Sequence, residues 1–148
     1  MSAGGIEIER VWADEHVLEL RVTVSDGRAV FVQDSYVGHG QLDDTVSELR
    51  AFGAALPGGT LRVQFGTFGP DMGGGAFRGD LRGLDGGRIR ITTRQETGYE
   101  DEADGGLSTS SAKLHLTVEP AQFDRFLREL TAVARGDATS ARRGTLRH

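Results

Sequence analysis

The sequence predicts an α+β domain: a mostly antiparallel, curved sheet of about seven strands with two helices packed on one face. Three observations carry this. Leu114, Leu116 and Val118 alternate with Lys113, His115, Thr117 and Glu119, the period of a strand with one buried face. Pro120 then stops the strand and suits a first helical turn, where its missing N–H costs nothing. Phe123, Phe126, Leu127, Leu130 and Val133 follow at three- and four-residue steps, so one stripe of that helix is apolar. A one-faced strand running into a one-faced helix needs a sheet to pack on, and the earlier segments supply it.

Taken in order, Ile6 and Ile8 alternate with Glu7 and Glu9, a first strand reaching about Ala13. Asp14-Glu15 forms a turn. Leu18, Leu20, Val22 and Val24 then share one face, with Glu19, Arg21 and Thr23 on the other. Ser25-Asp26-Gly27 signals a hairpin, because Asp and Gly tolerate the positive φ of a tight turn. The return strand, 28–36, buries either Val30 and Val32 or Ala29 and Phe31; the pattern leaves both open. Thr45-Val46-Ser47-Glu48 has capping-box form and predicts a helix from about Thr45, with Val46, Leu49, Phe52, Gly53 and Leu56 inward and Pro57-Gly58-Gly59 as its stop. Leu61, Val63 and Phe65 alternate as a strand, and residues 66–75 read as a glycine-rich loop. Residues 77–84 and 88–95 read as two strands joined at Asp85-Gly86-Gly87, with Ile89 and Ile91 inward. Residues 98–111 are polar and acidic and read as a long mobile loop. Residues 1–134 are expected to form one domain, and 135–148 a basic, flexible tail without periodicity.

Composition bounds the function. The 148 residues suit one domain, 37% of them are apolar and 26% charged, and 22 are glycine, so many turns are expected. The absence of cysteine excludes disulfides, thiolate metal sites and cysteine nucleophiles. Residues 1–10 hold Glu7 and Glu9 and no apolar core of a signal peptide, and the apolar stretch 51–56 is far below a membrane span, so a cytoplasmic protein without membrane contact is expected. Net charge is −5, and the tail holds four arginines against Asp137, which leaves the body, 1–134, at −8. An acidic body argues against nucleic acid as a partner through a broad basic face.

The densest candidate site is Tyr99, Glu100, Asp101, Glu102 and Asp104, a surface able to steer a basic protein partner; the bland alternative is a solvated hairpin tip. Glu100, Glu102, Asp104 and Gly105 mimic the start of a calcium loop. Its twelfth position is Ser111, where a bidentate Glu is needed, so no metal is expected. Gly73-Gly74-Gly75 with Gly79 lacks the spacing and the following helix of a phosphate cradle, and no cofactor is expected. His16, His39, His115 and His148 form no paired metal motif. Asp34, Tyr36 and His39 offer an acid, a hydroxyl and an imidazole within six residues, but closeness in sequence does not assemble a catalytic geometry. Trp12 is expected to be buried against the sheet; exposed, it would anchor a partner. Arg142, Arg143 and Arg147 are expected to do nothing specific.

The order of elements resembles that of WapI-type bacterial immunity proteins and related bacterial families, through the stretches 18–36, 45–56 and 113–133. In these, an antiparallel sheet is followed by a helix, more strands, and a strand running into a closing helix. The resemblance implies a small cytosolic, non-enzymatic protein that binds and neutralises a toxin domain, and it carries no catalytic residues over. The competing expectation is a small-molecule-binding protein or an enzyme with a pocket between sheet and helices, lined by groups such as Asp34, Tyr36 or His39.

Overall fold

The alternating runs form strands and the two apolar stripes form helices. A computed structural model describes residues 4–69, 74–100, 105–136 and 140–141. Strands β1 (Gly5–Ala13), β2 (Val17–Ser25) and β3 (Val30–Gly38) lead into helix α1 (His39–Ala54). Strands β4 (Thr60–Phe65), β5 (Ala76–Gly83), β6 (Ile89–Glu100) and β7 (Leu107–Val118) lead into helix α2 (Pro120–Arg135), and a two-residue strand β8 (Ser140–Ala141) follows. The class is α+β, as the sequence predicts. The strands fall into two open antiparallel sheets rather than one curved sheet, in the orders β3-β2-β1-β8 and β4-β5-β6-β7. Among the described residues β3 pairs with β2 alone and β4 with β5 alone, so each is the edge of its own sheet.

One apolar cluster joins the inner faces of both sheets to the helices. Leu18, Leu20, Val22 and Val24 of β2 are fully buried, as are Ile89 of β6 and Val133 of α2. Phe52 of α1 meets Phe123 of α2 edge to face, their ring centroids 6.0 Å apart. Burial of such side chains contributes about 1.5–3 kcal/mol each, the main favourable term of the fold. On β3 the inward residues are Phe31, Gln33, Ser35 and Val37, so Val30 and Val32 face out.

Helix α1 starts at His39, six residues before the predicted capping box. Thr45 lies inside the helix, where its hydroxyl donates to the carbonyl of Gln41 at 3.0 Å, and Leu42, Val46, Leu49 and Phe52 form the buried stripe with it. The extra turn forms because Leu42 extends the apolar period backward and finds the core. At α2 the backbone N–H of Glu119 donates to the side chain of Gln122 at 2.9 Å, half of a capping box just ahead of Pro120, and Gly136 closes the helix with φ of 82°.

The stretch read as a mobile loop is mostly a ladder: β6 and β7 pair continuously from Ile89↔Val118 to Glu100↔Leu107. Of the tail, β8 adds itself to β1 through Ile8↔Ala141 and Glu9↔Ser140; residues 137–139 and 142–148, including Arg142, Arg143, Arg147 and His148, lie outside the described residues.

Both tight turns of the first sheet rest on an aspartate. The carboxylate of Asp14 accepts the N–H groups of His16 and Val17 at 2.8 Å each, and that of Asp26 accepts those of Arg28 and Ala29 at 2.8 and 2.9 Å. These backbone donors hold both carboxyls below their ordinary pKa of 3.8. A depressed folded pKa means that the turn stabilisation is present above the unfolded value and is lost as pH falls through the folded one. The amide resonances of His16, Val17, Arg28 and Ala29 should therefore titrate with midpoints below pH 3.8. Midpoints at or above that value would show that the turns do not lean on these carboxylates.

Candidate functional site

Two open sheets present two outward faces, and their chemistry differs. On the first sheet the register aligns Trp12, Glu19 and Tyr36 in one row, Glu9, Arg21 and Asp34 in the next, and Glu7, Thr23 and Val32 in a third. Trp12 is 47% exposed and Tyr36 58%, with their rings edge to face at 6.5 Å. Val32 and Val30 on the same face are 46% and 65% exposed. Arg21 pairs with Asp34, its Nε donating to Oδ1 at 2.9 Å. The result is a face on which Glu19 lies between Trp12 and Tyr36, the Arg21–Asp34 pair separates that row from Val32, and Glu7 and Glu9 add further carboxylates on β1.

The expected burial of Trp12 is overturned by a register shift. Up to Arg10↔Leu20 the residues Ile6, Ile8 and Arg10 of β1 oppose inward residues of β2; the ladder then shifts between Arg10 and Trp12, and Trp12 opposes Glu19. Val11 is the extra residue of this bulge. Had the ladder kept its register through Val11, Trp12 would oppose Leu18 and point into the core. Bulges re-aim a side chain in this way, and they concentrate near functional surfaces.

Beside the patch an open cleft of about 430 Å³ runs between β3 and the backbone at Gly75 and Gly98. Gly75 permits that approach: a Cβ there would collide with the carbonyl of Asp34.

Asp34, Tyr36 and His39 do not converge. Asp34 is engaged by Arg21, Tyr36 by Trp12, and His39 donates through Nε2 to the carbonyl of Asp14 at 2.8 Å. A partly open space of about 50 Å³ between sheets and helices is lined by Ile6, Leu49, Phe77, Val118, Phe123 and other apolar residues. Of the predicted partner residues, Tyr99 and Glu100 end β6, while Asp101, Glu102 and Asp104 lie outside the described residues.

No protein-family model, characterised protein or solved structure matches this chain.

The outward face of the second sheet is basic. Its rows read Thr60, Arg82, Arg90 and Thr117; then Arg62, Asp80, Thr92 and His115; then Gln64, Arg78, Arg94 and Lys113. The acids on these three rows and the next are Asp80 and Glu96. The acidic balance of residues 1–134 therefore hides a segregation, with carboxylates around Trp12 and Tyr36 and guanidiniums across β4–β7. A charge averaged over residues 1–134 describes neither face. His115 sits outward as expected, its Nδ1 3.1 Å from the hydroxyl of Thr92.

Among the described residues no helix is long and apolar enough to cross a membrane.

Proposed function

We propose that this chain is a non-catalytic protein-binding domain that works in the cytoplasm as an immunity protein, covering a toxin domain with the outward face of β1–β3. The observation that carries this reading is the exposed Trp12–Tyr36 pair, turned outward by the Val11 bulge. Large rigid aromatics exposed among polar groups are the usual energetic anchors of protein interfaces. Glu7, Glu9 and Glu19 on the same face, beyond the Arg21–Asp34 pair, favour a partner with a cationic surface and speed its approach. The resemblance of the element order to that of WapI-type immunity proteins points to the same function. A small-molecule or enzymatic function in a pocket between sheets and helices would draw on groups such as Asp34, Tyr36 and His39, but these make separate contacts and the space there has an apolar lining.

The test pairs the chain with the toxin domain encoded beside its gene. Co-expression should protect growth, and Trp12→Ala should weaken the complex about 30-fold or more, the loss typical of a hot-spot tryptophan. The association rate should fall as salt rises, and Glu19→Lys should slow association. Unchanged affinity of the folded Trp12→Ala, Tyr36→Ala double variant would remove this face from the interface, and a salt-independent rate would remove the electrostatic part. A metabolic operon in place of a toxin gene would remove the immunity function.

A further inference from the structure

The basic face of β4–β7 is not needed by the fold. Its cations point outward, where threonine or glutamine would serve a strand as well. Register places Arg82 directly opposite Arg90, and Arg78, Arg94 and Lys113 side by side on three strands. Like charges directly opposite one another destabilise a sheet. The available acids compensate poorly. Asp80 is divided between Arg62 at 2.7 Å and Arg78 at 3.8 Å, and Glu96 accepts the backbone N–H of Gly69 at 2.6 Å. Among the described residues Arg82, Arg90 and Lys113 have no carboxylate partner. Such an arrangement calls for an external anion.

The kind of anion follows from what else the face displays. Thr60, Thr92, Thr117 and Ser111 interleave hydroxyl donors with the cations, as phosphate-contacting surfaces do. No aliphatic anchor stands out from these rows. The nearby aromatic, Phe68, lies under the guanidiniums of Arg78 and Arg94 at 5.7 and 5.0 Å from its ring centre. An acidic protein would find no aliphatic or free aromatic anchor here beside the arginines. A single strand would find no free ring on which to stack its bases. A duplex asks for neither, since its bases are already stacked and its phosphates recur every ~1.7 Å of axis. The four strands offer a surface about 14 Å wide, enough to meet several phosphates. On it, an open cleft of about 620 Å³ is lined by Arg62, Arg82, Arg90, Thr92 and His115, with Asp80 held by Arg62 at 2.7 Å.

We propose that the outward face of β4–β7 binds the phosphate backbone of double-stranded nucleic acid without reading its sequence. The site lies on the other sheet from the Trp12–Tyr36 patch and is independent of the partner proposed there.

Fluorescence anisotropy of the full 148-residue chain with a labelled 20-base-pair DNA duplex tests this. At low salt, binding should reach the micromolar range, with equal affinity for two unrelated sequences. With Arg82, Arg90, Arg94 and Lys113 engaged, log K against log salt should fall with a slope of roughly −3 to −4. The Arg82→Glu, Arg90→Glu variant should bind at least ten-fold more weakly and lose about two from that slope, while Trp12→Ala should bind as the parent does. If charge reversal disturbs folding, Arg82→Gln with Arg90→Gln should show the same loss in slope. Retained affinity in the folded double variant would assign the binding to other cations, the arginines of the tail included, and would overturn the proposal. So would absence of binding at low salt, tighter binding to oligo(dT), or equal binding to a poly-glutamate peptide, which would point to an acidic protein instead.

Discussion

Phe65→Ala is expected to destabilise the protein by about 3–5 kcal/mol, a large share of the ~5–15 kcal/mol that holds a domain of this kind together. Phe65 is fully buried at the end of β4 and lies stacked on Phe77 of β5, ring centroids 5.8 Å apart. Truncation removes the transfer energy of the ring and leaves a cavity between two sheet-forming strands that cannot close over it. Urea unfolding should show the midpoint falling at an unchanged slope. The contrast with Trp12→Ala gives the measurement its meaning. Trp12 is half exposed and makes its ring contact with Tyr36, itself exposed, so its loss should cost the fold far less while costing the complex more. If both substitutions lower stability equally, Trp12 is a packing residue and the outward patch loses its anchor.

What the sequence revealed and what it concealed have different physical origins. Wherever one face of an element is buried and the other wet, the period is visible. The β2 alternation, the β7 strand, the α2 stripe behind Pro120, and the turns at Asp26-Gly27 and Asp85-Gly86 all stand in the structure. Where an element lacks that asymmetry, the reading fails. Thr97 and Gly98 of β6 and Ser108 to Ser111 of β7 form a ladder beyond the densest part of the core, so no buried face marks them as strand. The start of α1 is concealed by Gly38-His39-Gly40, a turn-like composition followed by one informative apolar residue, Leu42.

The site was concealed more deeply than the fold. A strict period-two reading of β1 puts Trp12 on the same face as Ile6 and Ile8; one inserted residue at Val11 reverses that, and nothing local in the sequence announces it. The basic face is a property of register. Arg62, Arg78, Arg82, Arg90, Arg94 and Lys113 come from four strands spread over about a third of the chain, and only pairing brings them together. One signal was available: along Arg78-Gly79-Asp80-Leu81-Arg82 and Arg90-Ile91-Thr92-Thr93-Arg94 the polar positions of each strand are mostly cationic. Charge summed strand face by strand face, rather than over the whole body, shows the segregation.

Gln33→Leu is expected to cost about 2–4 kcal/mol, and adding Gln95→Leu is expected to restore part of that loss. The two glutamines belong to a buried chain of hydrogen bonds. Nε2 of Gln95 in β6 donates to the carbonyl of Val22 at 3.0 Å and to Oε1 of Gln33 at 2.6 Å. Nε2 of Gln33 donates to the hydroxyl of Ser35 at 2.7 Å, which donates to the carbonyl of Gly75 at 3.0 Å. The chain ties β3 to the second sheet through the interior. Removing one partner strands buried amide groups, each costing about 1–3 kcal/mol, whereas replacing both by apolar groups of similar shape is close to neutral. Oε1 of Gln95 already lacks a partner, which lowers the cost of losing that residue second. On β3 the inward Gln33 and Ser35 alternate with the outward Asp34 and Tyr36, so whatever fixes the first pair aims the second. The double variant should therefore regain stability without regaining full affinity for the partner, because apolar packing tolerates small shifts of β3 that directional hydrogen bonds do not. Recovery of both would show that packing alone sets the aim of Tyr36. Recovery of neither would show that the polar chain is required by the fold itself.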